Sequence, residues 1–319
     1  MNRNDAICVS GLLTVVFGAG AWGATPAYHT LMSQAQPALW YKFNETTGTV
    51  AVNHGSLGAA FNGTHFNGVM LGAPTASGDT GVGFDLNTGP YVESLATAPA
   101  AFTGNPSFSA ETVVRVTGST GGLTYPPFLH WGDGLTGREV YFSLSAASTE
   151  RFYAGFYNGG VRTTALYPAN EFHHYVWVRD ASGGAGQHAG HTLYVDGQVV
   201  AYEPDTLLPG APVIDVVSTP FRVQKARDFF RHFSGTMDEV ALFDRLLTAE
   251  EVMARYDALA IDCPGDADHD GDVDFGDLNL VLSAFNQSGQ NLPGDLNGDG
   301  MVNFADLNLV LSNFNTACG

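Results

Sequence analysis

The last fifth of this 319-residue chain carries one pattern twice. Asp266-Ala267-Asp268-His269-Asp270-Gly271-Asp272-Val273-Asp274-Phe275-Gly276-Asp277 leads into Leu278-Asn279-Leu280-Val281-Leu282-Ser283. At a constant offset of 29 residues, Asp295-Leu296-Asn297-Gly298-Asp299-Gly300-Met301-Val302-Asn303-Phe304-Ala305-Asp306 leads into Leu307-Asn308-Leu309-Val310-Leu311-Ser312. Each copy sets carboxylate or amide oxygens at positions 1, 3, 5, 9 and 12, with glycine at 6. Calcium takes roughly six to eight hard oxygens in a flexible shell, and a loop of this spacing supplies them. The first loop offers the side chains of Asp266, Asp268, Asp270 and Asp277, the carbonyl of Asp272, and Asp274 through a water. The second offers Asp295, Asn297, Asp299 and Asp306, the carbonyl of Met301, and Asn303 through a water. Two Ca2+ ions are therefore expected. Val273 and Val302 stand where paired loops usually make a short β contact.

From Asp262 onward the chain has ten aspartates and no Lys or Arg. A segment of one charge sign repels itself and stays unfolded unless a cation intervenes. No entering helix precedes either loop, because Asp262-Cys263-Pro264-Gly265 cannot form one. Each copy is read as a loop followed by a helix. Leu278, Val281, Leu282 and Phe285 form one stripe, and Leu307, Val310, Leu311 and Phe314 repeat it. Two short helices bury little, so metal must supply much of the stability. Cys263 and Cys318 bracket the segment and are expected to form a disulfide worth roughly 4 kcal/mol; the alternative is two free thiols.

This arrangement resembles a type I dockerin across both loops, both helices and the spacing between repeats. The resemblance implies calcium-dependent docking to a cohesin-like protein or another surface scaffold. It also implies that Phe275, Gly276, Phe304 and Ala305 face that partner. Cellulosomal relatives often carry Ser-Thr at these positions. Leu280 and Leu309 fall off the stripe and are further docking candidates, with packing inside the module as the alternative.

Residues 25–260 read as an all-β body. Short runs such as Leu39 to Phe43, Phe108 to Val116, Val140 to Leu144, Phe152 to Tyr157, His173 to Arg179 and Met237 to Phe243 alternate with Gly, Asn, Asp and Pro turns. Asp196-Gly197 between His191 to Val195 and Val199 to Tyr202 is a hairpin signal. Thr248-Ala249-Glu250-Glu251 opens one helix with a capping box, placing Val252, Tyr256 and Leu259 on one face.

Trp40-Tyr41-Lys42-Phe43-Asn44-Glu45-Thr46-Thr47-Gly48, Tyr175 to Arg179 with Leu193 to Gly197, and Gly235 to Thr248 resemble the laminin-G-like, concanavalin A-like jelly roll. The fold class expected is thus mainly β, a jelly-roll sandwich with a small C-terminal α module. The resemblance also implies a carbohydrate or cell-surface ligand for the body. Tyr125, Trp131 and Tyr157, beside Gly-rich turns, are the candidate sugar contacts, against core packing as the alternative; Trp40 and Trp177 are read as core. Some relatives hold a calcium at the sandwich rim, where Asp133 is a weak candidate.

No Glu-x-Asp-x-x-Glu strand motif, which would bring two carboxylates to one face, occurs in the body. Glu111 lies alone in its strand, and adjacent Asp238 and Glu239 point to opposite faces. The expectation is a non-catalytic binding protein. The alternatives are a glycoside hydrolase with an unrecognised carboxylate pair, and a structural surface protein with a calcium-stiffened tail. The net charge of −19 argues against nucleic acid as partner. Residues 1–24 read as a signal peptide, with a positive start, the apolar stretch Ala6 to Phe17 and small residues to Ala24. This predicts export to the extracellular medium or cell surface, with no membrane span afterwards. The expected domains are 1–24, 25–260 and 261–319.

Overall fold

The computed structural model describes residues 26–317 except 76–79, 86, 120–124, 146–147, 184–189, 206–212, 228–231, 260–264, 269–271, 290–291 and 298–299. The signal peptide, Cys263 and Cys318 therefore lie outside the described residues. Those described fall into two compact units, 26–259 and 265–317.

The larger unit is a sandwich of two antiparallel sheets. One has eight described strands, ordered Gln198–Val199, His191–Val195, Phe172–Arg179, Phe108–Ser119, Phe233–Phe243, Thr80–Phe84 and Met70–Pro74, with Leu39–Tyr41 also paired to Phe233–Phe243. The other has nine, from Tyr202–Pro204 through Gly159–Thr163, Ser148–Phe156, Glu139–Ser145, Pro127–Gly132, Pro220–Val223, Tyr91–Thr97 and Gly63–Phe66 to Val50–Ala51. Aromatic rings join the sheets. Phe128 stacks on Tyr175 at 5.3 Å, and Phe108 meets Trp131 and Trp177 edge-on at 5.4 and 4.8 Å. Asp196 and Gly197 both take positive φ, 51° and 74°, as the hairpin reading requires.

The eight-stranded sheet is buried on its second face too. Along Phe172–Arg179 every residue is buried: Tyr175 and Trp177 face the inter-sheet core, Val176 and Val178 a second cluster. Two helices form the other side of that cluster. α1 (Pro26–Ala35) contributes Tyr28 and Met32, and α2 (Ala249–Asp257) contributes Val252 and Tyr256. Trp40, like Trp177, is core as expected. In α2, Thr248 Oγ1 accepts from Glu251 N at 3.2 Å, and Glu251 Oε2 accepts from Thr248 N at 2.9 Å, the capping box read in the sequence. Nothing in the sequence reading foresaw α1.

Several strands also went unread because glycine interrupts them. Gly81, in Thr80–Phe84, has a structural reason. A Cβ there would lie 2.6 Å from the Met237 carbonyl oxygen, beside a bulge between Met237 and Glu239.

The smaller unit holds α3 (Phe275–Ser283) and α4 (Phe304–Ser312) around Ala267, Val273, Val281, Ala284, Val302 and Val310. The expected stripe is rotated. Leu282 and Leu311 are exposed, whereas Leu280 packs against this core. The cause is Asp277, fully buried at the start of α3, which turns positions 280, 281 and 284 inward with it. Leu280, half-buried, thus takes up the packing alternative at least in part. Leu309, its counterpart, is half-buried. Val273 and Val302 do not pair with each other either. Val273 pairs with Thr316, and Met301 bridges Ser288.

Candidate metal centre

Both loops are organised by the carboxylate at position 12. Asp277 Oδ1 accepts from the backbone N–H of Ala267 and Asp268, and Oδ2 accepts from Asp274 N at 2.7 Å. Asp306 repeats this: Oδ1 accepts from Leu296 N at 2.9 Å and Asn297 N at 3.2 Å, and Oδ2 from Asn303 N at 2.8 Å. Both carboxylates are fully buried. Position 9 is the N-cap of the exiting helix, Asp274 accepting from Gly276 N and Asn303 from Ala305 N. Each loop therefore closes onto its own helix start before any ion is considered.

The oxygens gather as the spacing predicts. One carboxylate oxygen each from Asp266, Asp268 and Asp277 lie within 4.8 Å of one another. Asp272, Asp274 and Asp277 form a second such group, so Asp272, expected to offer its carbonyl, also brings its side chain close. In the second loop Asp295 Oδ2 accepts from Gly300 N at 2.8 Å, while Asp295 Oδ1 is buried with no hydrogen-bond partner among the described residues. A buried carboxylate oxygen lacking a donor is an oxygen a cation would satisfy. The Met301 carbonyl takes a long 3.5 Å bond from Asn303 Nδ2. Asp270 and Asp299, at position 5, lie outside the described residues. The expected donors are hard oxygens throughout, with no Lys or Arg nearby in sequence, which fits calcium.

Position 10 is exposed in both repeats, at Phe275 and Phe304, as a docking surface requires, and Ala305 is exposed beside Phe304. Gly276 is half-buried.

The jelly roll places its candidate sugar contacts differently. Trp131 is buried, donates its Nε1–H to the Phe102 carbonyl at 2.9 Å and packs edge-on against Phe221. A ring enclosed by core offers no face to a sugar. Tyr125 is buried against Tyr141 and Tyr153, its hydroxyl donating to Asp205 Oδ2 at 2.9 Å. Tyr157 alone is half-buried, with the Arg227 guanidinium 5.0 Å from its ring centre. Asp133 is engaged by Arg138 at 2.7 Å.

The outer face of the nine-stranded sheet is unexpectedly polar. Strand register sets Thr64, Glu93, Arg222, His130, Tyr141, Gly155 and Gly160 in one row across seven strands. Glu139 Oε1 receives His130 Nε2 at 2.5 Å and Arg227 Nε at 2.8 Å. Burial pushes the Glu139 carboxyl up, but His130 and Arg227 outweigh it and hold it below its ordinary value. Burial lowers His130 despite the Glu139 bond.

On the opposite sheet, Glu111 is far from alone. Tyr28 Oη donates to it at 2.9 Å, His174 Nε2 lies 2.9 Å away, and Arg255 Nε donates to both its oxygens at 3.0 and 2.8 Å. Glu239 is bound by His29 at 2.8 Å and by the Trp40 indole N–H. His173 and His174 are both buried, His173 Nδ1 lying 2.8 Å from Asp196. Only a lone acidic residue in a strand hinted at the Glu111 cluster, since its partners are distant in sequence.

Among the described residues no helix is long and apolar enough to cross a membrane. No curated protein matches this sequence. Solved structures similar to it include the fourth domain of a GH43 extracellular arabinanase from Geobacillus stearothermophilus, in complex with arabinotriose. That likeness has 16% identity and TM-score 0.47, over 70% of this chain and 98% of that one. Trypanosoma rangeli sialidase is similar at 16% identity and TM-score 0.46, over 70% of this chain. This chain spans about a third of the sialidase, 32%. Botulinum neurotoxin type C, whose cell entry depends on two ganglioside molecules, is similar at 10% identity and TM-score 0.49, over 73% of this chain and 54% of that one. The profile described as the concanavalin A-like lectin/glucanases superfamily matches residues 86–253, most of the two-sheet sandwich, and the chain belongs to that superfamily.

Proposed function

We propose that this is an exported, non-catalytic saccharide-binding protein whose C-terminal repeat pair, dockerin-like, holds two calcium ions and docks onto a cohesin-like partner. The observation that carries the calcium reading is the duplicated position-12 carboxylate. Asp277 and Asp306 are fully buried and held by three backbone N–H groups in matching register. Asp266, Asp268, Asp270 and Asp277 would hold the first ion, and Asp295, Asn297, Asp299 and Asp306 the second. Bound calcium would neutralise carboxylates that this segment has no Lys or Arg to pair. The docking surface is the pair of exposed rings Phe275 and Phe304.

The saccharide reading rests on superfamily membership and on the half-buried polar groups of the nine-stranded sheet's outer face, Glu93, Arg222, Tyr157 and Arg227. Calorimetric titration of the full chain with CaCl2 tests the metal site: a stoichiometry of two is expected, and no uptake at millimolar calcium refutes it. Capture of partners from the culture medium of the source organism, with calcium and with chelator, tests docking. A glycan array tests the sandwich, and an array blank across neutral and acidic glycans would refute saccharide binding.

A further inference from the structure

Each calcium loop is built against the other repeat's half of the module. After α3 the chain turns at Asn286, with φ 64°, and runs along the second loop. Asn286 N donates to Val302 O at 2.8 Å, Val302 N to Gln287 O at 3.0 Å, and Gly289 N to Gly300 O at 3.0 Å. After α4 it turns at Asn315, with φ 61°, and runs along the first. Asn315 N donates to Val273 O at 2.7 Å, and Thr316–Ala317 pairs with Asp272–Val273. The position-10 rings cross as well: Phe275 meets Phe314 and Phe304 meets Phe285, each edge-on at 5.0 Å. Gly265, before the first loop, backs onto α4, where a Cβ would lie 2.8 Å from the Leu309 carbonyl oxygen. Gly294 backs onto α3 in the same way, 2.9 Å from Val281 Cα. Three kinds of contact thus cross between repeats, each made twice at the 29-residue offset.

From this we infer that the calcium affinity of each loop is set by the helix exit of the other repeat. The inference rests on the calcium reading above. Asn286 and Asn315 are the positioning residues. Each holds a left-handed conformation that asparagine tolerates and a β-branched residue does not. Neither is a calcium ligand.

The test is a CaCl2 titration of the full 15N-labelled chain, following the amide signals of Ala267 and Leu296, which report the first and second loops. Asn286→Val is expected to weaken the second loop about tenfold and the first much less, and Asn315→Val the reverse. Asn286→Gly and Asn315→Gly, which keep the left-handed turn, are expected to bind as wild type. If each valine variant weakens its own repeat's loop, or both loops equally, the crossed assignment is overturned. If wild type takes up no calcium at either signal, the calcium reading itself fails. The crossing is then decided by hydrogen exchange at the Val302 amide, which Asn286→Val must accelerate and Asn315→Val must not.

Discussion

Replacing Arg255 by methionine isolates the buried charge cluster under α1 and α2. Arg255 and Glu111 are both almost wholly enclosed, and the guanidinium supplies two of the four contacts on that carboxylate. Removing one partner of a buried pair costs about 3–5 kcal/mol, because the remaining charge stays desolvated. The acid limb gives an independent magnitude. Burial alone would push the Glu111 carboxyl up, but Arg255 first, then His174 and Tyr28, bring it down from 4.5 to about 2. That gap is worth about 3 kcal/mol. Because the folded value is depressed, this stability is fully present above pH 4.5 and is lost as pH falls toward 2. Tryptophan fluorescence during urea unfolding is the assay, since Trp22, Trp40, Trp131 and Trp177 all precede residue 260. At pH 7, Arg255→Met is expected to lose about 3–5 kcal/mol and roughly 10 °C in Tm, and its stability should fall less steeply with acid below pH 4.5. A loss under about 1 kcal/mol, or an unchanged acid slope, would refute the reasoning.

Chelator is expected to abolish the far-ultraviolet helical signal of α3 and α4 while leaving tryptophan emission unchanged; a shift in emission would contradict it. The first loop carries five carboxylates at its ligand positions and the second three with two amides, so the first should bind calcium more tightly and lose more affinity with salt. Calorimetry on Asp277→Ala and Asp306→Ala measures this, and equal losses would count against it. Trp131→Ala should cost about 3–5 kcal/mol by opening a core cavity, and at temperatures where it stays folded should leave any glycan profile unchanged. A selective loss of one glycan would return Trp131 to the ligand site.

Much of the two loops' geometry was legible because its information is local. Oxygens at fixed spacing, a glycine turn and a helix cap all lie within one loop, and the second copy confirms the register. The facing of the helices was not legible. In Leu278-Asn279-Leu280-Val281-Leu282 apolar residues fall on every side, and the buried Asp277 decides which side turns inward. Trp131 was misread for a related reason: His130-Trp131-Gly132-Asp133-Gly134 has the composition of a turn, yet Pro127–Gly132 is a fully buried strand. The charge clusters were beyond reach, since the partners of Glu111 sit at Tyr28, His174 and Arg255, on two helices and another strand.

The two units handle buried carboxylates in opposite ways. The sandwich supplies its own counter-charges: Arg255 for Glu111, and Arg227 with His130 for Glu139. All thirteen Lys and Arg of the chain lie at or before Arg255. Among the described residues, the repeat pair holds buried Asp277 and Asp306 with backbone N–H groups and gives Asp295 Oδ1 no donor. Peptide dipoles offset part of a carboxylate's desolvation but bring no net charge, so ten aspartates still repel across a core of six small residues. A sandwich with internal bases needs no added cation to offset its buried carboxylates. On the calcium reading, a segment without Lys or Arg folds only as far as cations are present, so calcium concentration would switch the ordered exposure of Phe275 and Phe304.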